Sequence, residues 1–429
     1  MKFIHTADWH LGNKMHGIDR QQENQSFLIW LKDEIIKNKI DTLIVSGDIF
    51  DTANPPVESR KQYNDFLASL LNTECRNIII TAGNHDSPAL LDSQKEILEP
   101  LNIHIVGSIS NCNLNDIVYE LKDVQGNVEA VCAAVPFVRE NELRDFVDED
   151  TEDGTFSDRA NENLYKDVLE ECKKVRGDLD IPLIATGHLY ACDLEGRFDG
   201  EVKDAAADDG VRTLDVVGKL GSVHVKTFPC EFDYIALGHI HYATMVAKNS
   251  RIRYSGSPFV MGFDEANIPH YVLVGEFGSD RELTIQKIKV PDFNDYKRVA
   301  GDFETIKTEL LKYEKSSREN NLYVEVYYKK EDDINISEEL DKMVEELQDN
   351  NIYIISRRLQ NVINRSVTDF DAEEVKNLEP KEIFTRLIAS RNKVLTEDKT
   401  EEDSYIDKYL PLFMESYNEF LNGNSNENN

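Results

Sequence analysis

Short runs of aliphatic and β-branched residues recur along the first 275 residues, each four to six residues long and ended by glycine or polar positions. Runs of this length, bounded by turn-forming residues, predict buried β-strands. The predicted strands are Phe3–Thr6, Thr42–Ser46, Ile78–Thr81, Ile103–Val106, Ala130–Val135, Leu183–Thr186, Tyr234–Leu237 and Arg251–Ser255.

Two segments between the early strands follow a helical period instead. Apolar residues three and four positions apart, such as Phe27, Leu31 and Ile35, predict a helix over Gln25–Lys37. The same spacing predicts a second helix over Arg60–Leu71. Strands that alternate with helices early and follow one another later predict an α/β fold with a layered core and a mixed sheet.

The pattern changes after Pro291. Helical and strand-like segments alternate at 302–313, 322–330, 337–348 and 352–356, which predicts a separate small α/β domain. Two amphipathic stretches follow Leu378, at Ile383–Leu395 and Tyr405–Leu421, and Pro411 is expected to kink or split the second.

Charge limits the possible partners. The 429 residues include 48 basic and 81 acidic side chains, a net charge of −33, which disfavours a free-standing nucleic-acid binder. Part of this excess is local, because residues 139–171 hold 13 acidic and 4 basic side chains. The net charge therefore leaves open a concave site that contains metal ions.

The sequence also indicates where in the cell the protein is expected. No apolar run approaches the roughly 20 residues that cross a bilayer, and residues 1–10 lack the basic and apolar regions of a secretory signal. The six cysteines are scattered without a CxxC spacing. We therefore expect a cytoplasmic protein with reduced cysteines and no membrane association.

Asp, His or Asn side chains follow five of the predicted strands. They are Asp8 and His10, Asp48, Asn84 with His85 and Asp86, His188, and His239 with His241. Each alone is weak, since a strand-end Asp is often a turn former and a histidine is often a core residue. Because the carboxyl ends of strands in α/β sheets meet at one edge, the set predicts a single site. Oxygen and imidazole donors without a thiolate suit a divalent ion such as Mn²⁺ better than Ca²⁺ or a structural zinc.

These motifs carry a family resemblance. The order DWH, GDIFD, GNHD, GH and GHIH resembles the calcineurin-like metallophosphoesterase superfamily. Within it, the segments HTADWHLG (5–12), GDIFDTANPP (47–56), TAGNHDSP (81–88), FDYIALGHIH (232–241) and RYSGSPFVMGFDE (253–265) resemble the SbcD family of bacterial nucleases. The resemblance implies a metallophosphoesterase core with mixed sheets flanked by helices, a small α/β capping domain and C-terminal helices. The expected boundaries are 1–280, 281–370 and 379–422.

The resemblance also implies roles for the strand-end residues. It places a first metal ion on Asp8, His10 and His241. It places a second on Asn84, His188 and His239, with Asp48 as the bridge between them. The expected ions are Mn²⁺, with Mg²⁺ as the alternative.

His85 is implied to act on the scissile phosphate, as the acid for the leaving oxygen or as a stabiliser of the transition state. Asp51 and Asp86 are expected either to accept a hydrogen bond from a histidine and orient it, or to form turns. Some archaeal and eukaryotic relatives carry histidine where this chain has Asp51, which favours the bacterial subgroup. His16 and Arg20, in the polar loop after the first motif, either contact DNA or lie in solvent.

Three functions compete. The first is an SbcD-type subunit that cleaves DNA, as a double-strand exonuclease and a single-strand or hairpin endonuclease, in DNA repair, recombination and replication. The second is a phosphoesterase for nucleotides or phosphomonoesters, and the third is a non-catalytic scaffold. The complete ligand set disfavours the scaffold, and the long extension beyond the core favours the first function.

The resemblance further implies partners. We expect residues 379–422 to dock on the coiled-coil ATPase SbcC, although packing on the chain's own capping domain stays open. A homodimer within a heterotetramer is also implied, through the helices predicted at Gln25–Lys37 and Arg60–Leu71.

Overall fold

The computed structural model describes residues 1–110, 112–147, 153–191, 222–314, 320–328, 336–348 and 350–359. The predicted C-terminal segment, 379–422, lies outside these residues.

Nineteen strands occur in the described residues. The first ten are β1 (Lys2–Thr6), β2 (Lys14–Met15), β3 (Ile18–Asp19), β4 (Thr42–Ser46), β5 (Asn77–Thr81), β6 (Ile103–Val106), β7 (Val118–Lys122), β8 (Val128–Ala133), β9 (Leu183–His188) and β10 (Tyr190–Ala191). The others are β11 (Ser222–Val223), β12 (Tyr234–Gly238), β13 (Thr244–Val246), β14 (Asn249–Tyr254), β15 (Tyr271–Phe277), β16 (Leu283–Lys289), β17 (Asp295–Gly301), β18 (Leu322–Tyr328) and β19 (Ile352–Leu359).

Eight α-helices accompany them in the same residues. They are α1 (Gln21–Asn38), α2 (Val57–Leu70), α3 (Pro88–Asp92), α4 (Lys95–Leu98), α5 (Glu140–Leu143), α6 (Asp153–Arg176), α7 (Phe303–Glu314) and α8 (Ile336–Gln348). All eight predicted strands and both early helices are confirmed, with ends that differ by at most four residues.

Two six-stranded mixed sheets form the core. The first has the order β16-β15-β1-β4-β5-β6, and β1, β4, β5 and β6 run parallel. The second has the order β13-β14-β12-β9-β8-β7, and β14, β12, β9 and β8 run parallel. The mixed α/β architecture predicted from the sequence is therefore confirmed.

Alternation along the strands of the first sheet divides its side chains between two cores. Phe3, Ile44 and Ile79 lie in the core shared with the second sheet, and the Phe3 ring lies 5.0 Å from that of Tyr234 on β12. Their strand neighbours Ile4, Leu43, Val45, Ile78 and Ile80 pack against α1 and α2 instead. Successive strand residues point to opposite faces, so fully apolar strands are what a sheet covered on both faces requires.

Helix α6 covers the outer face of the second sheet. Its residues Leu164 and Val168 share a core with Val131 and Ile184 of β8 and β9. The layers are thus helices, sheet, sheet and helix, and the parallel strands of both sheets deliver their carboxyl ends to one site.

Residue contacts divide the chain into two units. The described parts of the first lie within 1–299, 310–326 and 341–356. The described parts of the second are 300–309, 327–328, 336–340 and 357–359. The strands β17, β18 and β19 form a three-stranded sheet in that order. Among the described residues, no helix has the length and apolarity needed to cross a membrane.

Candidate metal centre

Strand ends from both sheets supply the candidate site. The first sheet brings Asp8 and His10 after β1, Asp48 after β4, and Asn84, His85 and Asp86 after β5. The second sheet brings His188 at the end of β9 and His239 and His241 after β12. Short, sharp loops follow these strands, so each side chain leaves its strand close to the sheet edge.

The backbone of these loops is unusual at four candidate ligands. Asp8, His10, Asp48 and His239 have φ angles of 54°, 44°, 52° and 96°. Residues other than glycine rarely adopt this left-handed region, and it costs on the order of 1–3 kcal/mol unless the surroundings impose it. The hydrogen bonds from Asp8 N to Gly47 O (3.0 Å) and from His10 N to Asp48 O (2.9 Å) tie the first two loops together. Strain concentrated at these positions is typical of a functional site.

Atoms that can ligate a metal ion converge in three groups. In each group the atoms lie no more than 4.8 Å apart. The groups are Asp8 with His10 and His241, Asp8 with Asp48 and His188, and His10 with Asp51 and His85. The first contains the three residues that the sequence assigned to one ion. Asp8 and His10 each belong to two groups, so the three are parts of a single cluster.

Asn84 lies between two further histidines of this cluster. Its Oδ1 is 3.1 Å from His188 Nε2 and 3.0 Å from His239 Nδ1. The Nδ1–H of His188 donates to the carbonyl oxygen of Ser46 at 2.9 Å. Because a carbonyl only accepts, this bond fixes a proton on Nδ1 and leaves Nε2 facing Asn84 and Asp48.

Asp86 is bound by backbone N–H groups of two loops at the site. Its carboxylate accepts hydrogen bonds from the backbone N–H groups of Gly83 (2.8 Å), Phe50 (2.9 Å) and Ile49 (3.1 Å). Burial raises the pKa of Asp86 to about 6. Asp86 therefore ties the loop after β4 to the loop after β5.

His85 is exposed at the rim of the cluster. Its Nδ1–H donates to the carbonyl oxygen of Asp51 at 2.8 Å, and its ring packs edge-on against His10 with centroids 4.9 Å apart. The carboxylate of Asp51 faces His10, since Asp51 Oδ1 lies 3.5 Å from His10 Nδ1. With Nδ1 occupied, Nε2 is the ring nitrogen that remains to interact with another group.

Glu265 is a site residue to which the sequence analysis gave no role. Its Oε1 lies 3.5 Å from His241 Nδ1, and its Oε2 accepts from the backbone N–H of Met261 at 2.7 Å. The carboxylate orients the imidazole, as acidic partners of metal-binding histidines commonly do. Its position at the end of RYSGSPFVMGFDE was the available signal, but a link to His241 required the fold.

Arg20 fits neither of the two roles predicted for it. The side chain is 2% exposed and pairs with Glu23 at 2.7 Å, so it contacts neither solvent nor DNA. The prediction of an exposed Arg20 is therefore wrong, because the loop turns inward, whereas His16 is exposed.

Buried carboxylates set the electrostatics. Burial lowers the pKa of His188, but Asp48, whose Oδ2 lies 3.3 Å from His188 Nε2, outweighs burial and raises it to about 9. Burial would raise the pKa of Asp48, yet His188 holds it below its usual range. Burial raises the pKa of Asp8, and burial together with the charge of His188 lowers the pKa of His239 to about 4. The raised pKa of His188 therefore reflects the buried carboxylates of Asp48 and Asp8 beside it.

Comparison with known proteins assigns this arrangement to a family. A calcineurin-like phosphoesterase family model matches residues 1–243. The SbcD chain of the nuclease SbcCD from Escherichia coli (strain K12) is 30% identical over 397 residues, which cover 91% of this chain and 93% of that protein. The chain belongs to the SbcD family of calcineurin-like phosphoesterases.

Two other SbcD-family proteins match a shorter part of the chain. The SbcD chain from Rhodobacter capsulatus is 30% identical over 280 residues, 63% of this chain and 65% of its own. The Bacillus subtilis SbcD chain is 27% identical over 289 residues, 67% of this chain and 69% of its own. The family predicted from the motifs is confirmed, and the SbcD-family chain is a nuclease subunit that hydrolyses phosphodiester bonds.

The family binds divalent metal, and the cluster fits such an ion. Asp8 Oδ2 and His10 Nε2 are buried and make no hydrogen bond among the described residues, although Asp48 Oδ2 lies 3.5 Å from Nε2. Buried polar atoms are rarely left unsatisfied, so these atoms call for a partner that the protein itself does not supply. A divalent cation supplies it, and the oxygen and imidazole donors are of the kind such ions accept.

Proposed function

We propose that this chain is the DNA-cleaving subunit of an SbcCD-type complex, acting on phosphodiester bonds with two divalent ions. The observation that carries the proposal is the convergence of ligand-type side chains from five strand ends, with buried atoms of Asp8 and His10 left unsatisfied. The proposed substrates are duplex ends and single-stranded or hairpin DNA, in repair, recombination and replication.

The proposed ligands follow the sequence assignment. Asp8, His10 and His241 would hold one ion, Asn84, His188 and His239 would hold the other, and Asp48 would contact both. Mn²⁺ is the proposed ion, with Mg²⁺ as the alternative. When bound, a pair of such ions stabilises charge on the attacking and leaving oxygens and lowers the pKa of water.

The chain's own residues would do the rest. His85 holds its Nδ1 proton against the carbonyl of Asp51, so in the imidazolium form its Nε2–H would give a proton to the leaving oxygen or donate a hydrogen bond to the transition state. Asp51 and Glu265 would steady the His10 and His241 rings. The hydrogen bonds that Asp86 accepts from the loops after β4 and β5 would hold Asp48 and His85 in fixed positions relative to each other.

A nuclease subunit explains the whole chain better than a small-substrate phosphoesterase does. The match to the Escherichia coli protein spans 91% of this chain and so extends beyond the phosphoesterase model at 1–243. We propose a nuclease domain at 1–280, a capping domain at 281–370 and an SbcC-docking segment at 379–422.

Self-association is part of the proposal. Ile29 and Ile36 on α1 are 54% and 50% exposed, and Leu71 after α2 is 47% exposed. Ile29 and Ile36 are seven residues apart and so share one helix face. This exposed apolar surface supports a homodimer through α1 and α2 within a heterotetramer.

The test is a cleavage assay on end-labelled linear duplex DNA. The purified protein with Mn²⁺ is expected to degrade the duplex, and addition of SbcC and ATP is expected to increase the rate. Chelation of the metal should stop cleavage. Hydrolysis of phosphomonoesters alone, with intact DNA in the presence of SbcC, ATP and Mn²⁺, would contradict the proposal.

A further inference from the structure

Asp51 touches both histidines on which the rim of the cluster depends. Its carboxylate Oδ1 lies 3.5 Å from His10 Nδ1, and its carbonyl oxygen accepts from His85 Nδ1 at 2.8 Å. A shift of this one residue would therefore turn a proposed metal ligand and the proposed proton donor together. The side chain of Asp51 is 28% exposed, so burial alone does not hold it in place.

The Asn13 amide holds the Asp51 carboxylate and is itself held by the buried guanidinium of Arg20. Asn13 Nδ2 donates to Asp51 Oδ1 at 3.1 Å, and Asn13 Oδ1 accepts from Arg20 Nη1 at 3.3 Å. The same Nη1 donates to the carbonyl oxygen of Val260 at 2.6 Å. Both the oxygen and the nitrogen of the Asn13 amide are hydrogen-bonded. Arg20 therefore fixes the orientation of the amide, and the amide in turn fixes the position of the Asp51 carboxylate.

Arg20 itself is fixed from several directions. Its Nε donates to Glu23 Oε2 at 2.7 Å, and the same oxygen accepts from the hydroxyl of Tyr296 at 3.0 Å. The guanidinium carbon lies 4.8 Å from the ring centre of Phe259 and 5.5 Å from that of Tyr296. A charge held between two aromatic rings and a carboxylate has little freedom to rotate.

The burial of this ion pair needs a reason other than stability. Arg20 is 2% and Glu23 4% exposed, and an apolar pair of similar volume is often as stable as a buried ion pair. An apolar side chain, however, could not aim an N–H group at Asn13. Directed donors at a fixed position are what the buried guanidinium adds.

We propose that Asn13 and Arg20 are positioning residues of the nuclease site, which act on His10 and His85 through Asp51. Tyr296 extends the same chain of hydrogen bonds to β17. This inference rests on the proposed function, which gives His10 its role as a metal ligand and His85 its role as a proton donor. Loss of such outer contacts at metal sites typically reduces metal affinity or activity about 10- to 100-fold.

The test uses the full-length chain with Asn13→Ala and the isosteric Asn13→Asp. Asn13→Asp keeps an acceptor for Arg20 but places a second carboxylate beside Asp51. Both variants are expected to bind Mn²⁺ about 10- to 100-fold more weakly in calorimetric titration. On bis(p-nitrophenyl) phosphate they should lower kcat rather than raise KM, since the contact positions reacting groups and does not bind substrate.

Asn127→Ala is the matched control. Asn127 Nδ2 also donates to an aspartate, Asp123 Oδ2 at 2.9 Å, but in an exposed turn. This variant should keep the wild-type Kd for Mn²⁺ and the wild-type kcat.

Two variants test Arg20. Arg20→Lys keeps the positive charge but loses the planar guanidinium with its several N–H donors. The double variant Arg20→Met with Glu23→Met removes the ion pair. The double variant removes both buried charges together, so it leaves neither of them unpaired. Thermal unfolding reports whether each variant is folded, and folded variants are expected to bind Mn²⁺ at least about 10-fold more weakly.

Wild-type Mn²⁺ affinity and kcat in both Asn13 variants would overturn the positioning role. Wild-type values in a folded double variant would overturn the role of Arg20. Neither result would affect the nuclease proposal, which fails separately if the wild-type protein leaves DNA intact.

Discussion

At the scale of single residues, the histidines of this protein divide by what their ring nitrogens meet. His188 and His85 each donate Nδ1–H to a backbone carbonyl, which leaves Nε2 for chemistry. His10 makes no hydrogen bond within the described residues, and carboxylate oxygens of Asp48 and Asp51 lie 3.5 Å from its Nε2 and Nδ1. His5 is buried between the sheets, where its Nδ1 lies 2.8 Å from the Tyr234 hydroxyl. The same residue type therefore occurs as a proposed metal ligand, as a proposed proton donor and as a packed residue of the core.

Removal of the His85 imidazole separates chemistry from metal binding. His85→Ala is expected to lower cleavage by about 10²- to 10⁴-fold, the usual contribution of a general acid. The Mn²⁺ content, measured by elemental analysis, should not change, because His85 is proposed to act on the phosphate. Loss of metal in this variant would instead make His85 a ligand. His224→Ala, outside the site, serves as the control.

His5 makes stability depend on pH. Burial lowers the pKa of His5 to about 3 in the folded protein, against 6.5 for the unfolded chain. Between these values the unfolded state binds the extra proton, so the free energy of unfolding falls as the pH drops below 6.5. From pH 6.5 to 5 this group should remove at most about 2 kcal/mol. Urea unfolding at several pH values should show a shallower acid decline for His5→Gln, and equal declines would contradict the assignment.

At the scale of elements, the site depends on how closely strand ends from the two sheets approach each other. A Cβ on Gly238, the last residue of β12, would overlap the carbonyl oxygen of Ser46 at the end of β4 and lie 2.8 Å from His188 Nδ1. Only a residue without a side chain lets these strands meet. The glycine of the GHIH motif is thus a packing requirement as well as a turn.

Gly238→Ala should force these strand ends apart. Overpacking of this kind costs about 1–3 kcal/mol, and we expect that loss in denaturant unfolding together with weaker Mn²⁺ binding. Gly278→Ala is the control, because the atom nearest to its added Cβ belongs to the flexible end of the Asp280 side chain. Equal stability of both variants would show that the sheets tolerate separation.

Most core strands were predictable from their apolar runs, and α1 and α2 from their helical period, but β15 was missed although Val272 and Val274 are buried. The core strands are continuous apolar runs, whereas β16 alternates exposed and half-buried residues and was missed. Helix α6 was missed because acidic residues surround its buried Leu164, Val168 and Cys172. The strand-end logic located the candidate ligands. Glu265 and Asn13 escaped it because they reach the site through tertiary contacts alone.

At the scale of the whole molecule, the net charge of −33 opposes approach to DNA. The carboxylates of the site are neutralised locally if two divalent ions bind there, but the rest of the surface is not. A partner that contributes its own basic DNA-binding surface would resolve this conflict. The proposed docking segment at 379–422 is where we expect that partner to attach.

Deletion of residues 379–429 tests the attachment. The shortened protein should still hydrolyse bis(p-nitrophenyl) phosphate with Mn²⁺, since the candidate ligands lie between Asp8 and His241. It should no longer co-purify with SbcC in a pull-down assay. Retained SbcC binding would place the docking surface elsewhere in the chain.

The left-handed backbone at Asp8, His10, Asp48 and His239 has a consequence for mutational dissection of the centre. Alanine tolerates this conformation poorly, at about 1–2 kcal/mol per residue, whereas asparagine and glycine accept it readily. In an alanine scan, the measured loss would therefore combine the cost of the left-handed backbone with the loss of the proposed metal ligand. Asp48→Asn, which keeps the shape and the loop geometry but removes the charge, isolates the ligand's own contribution.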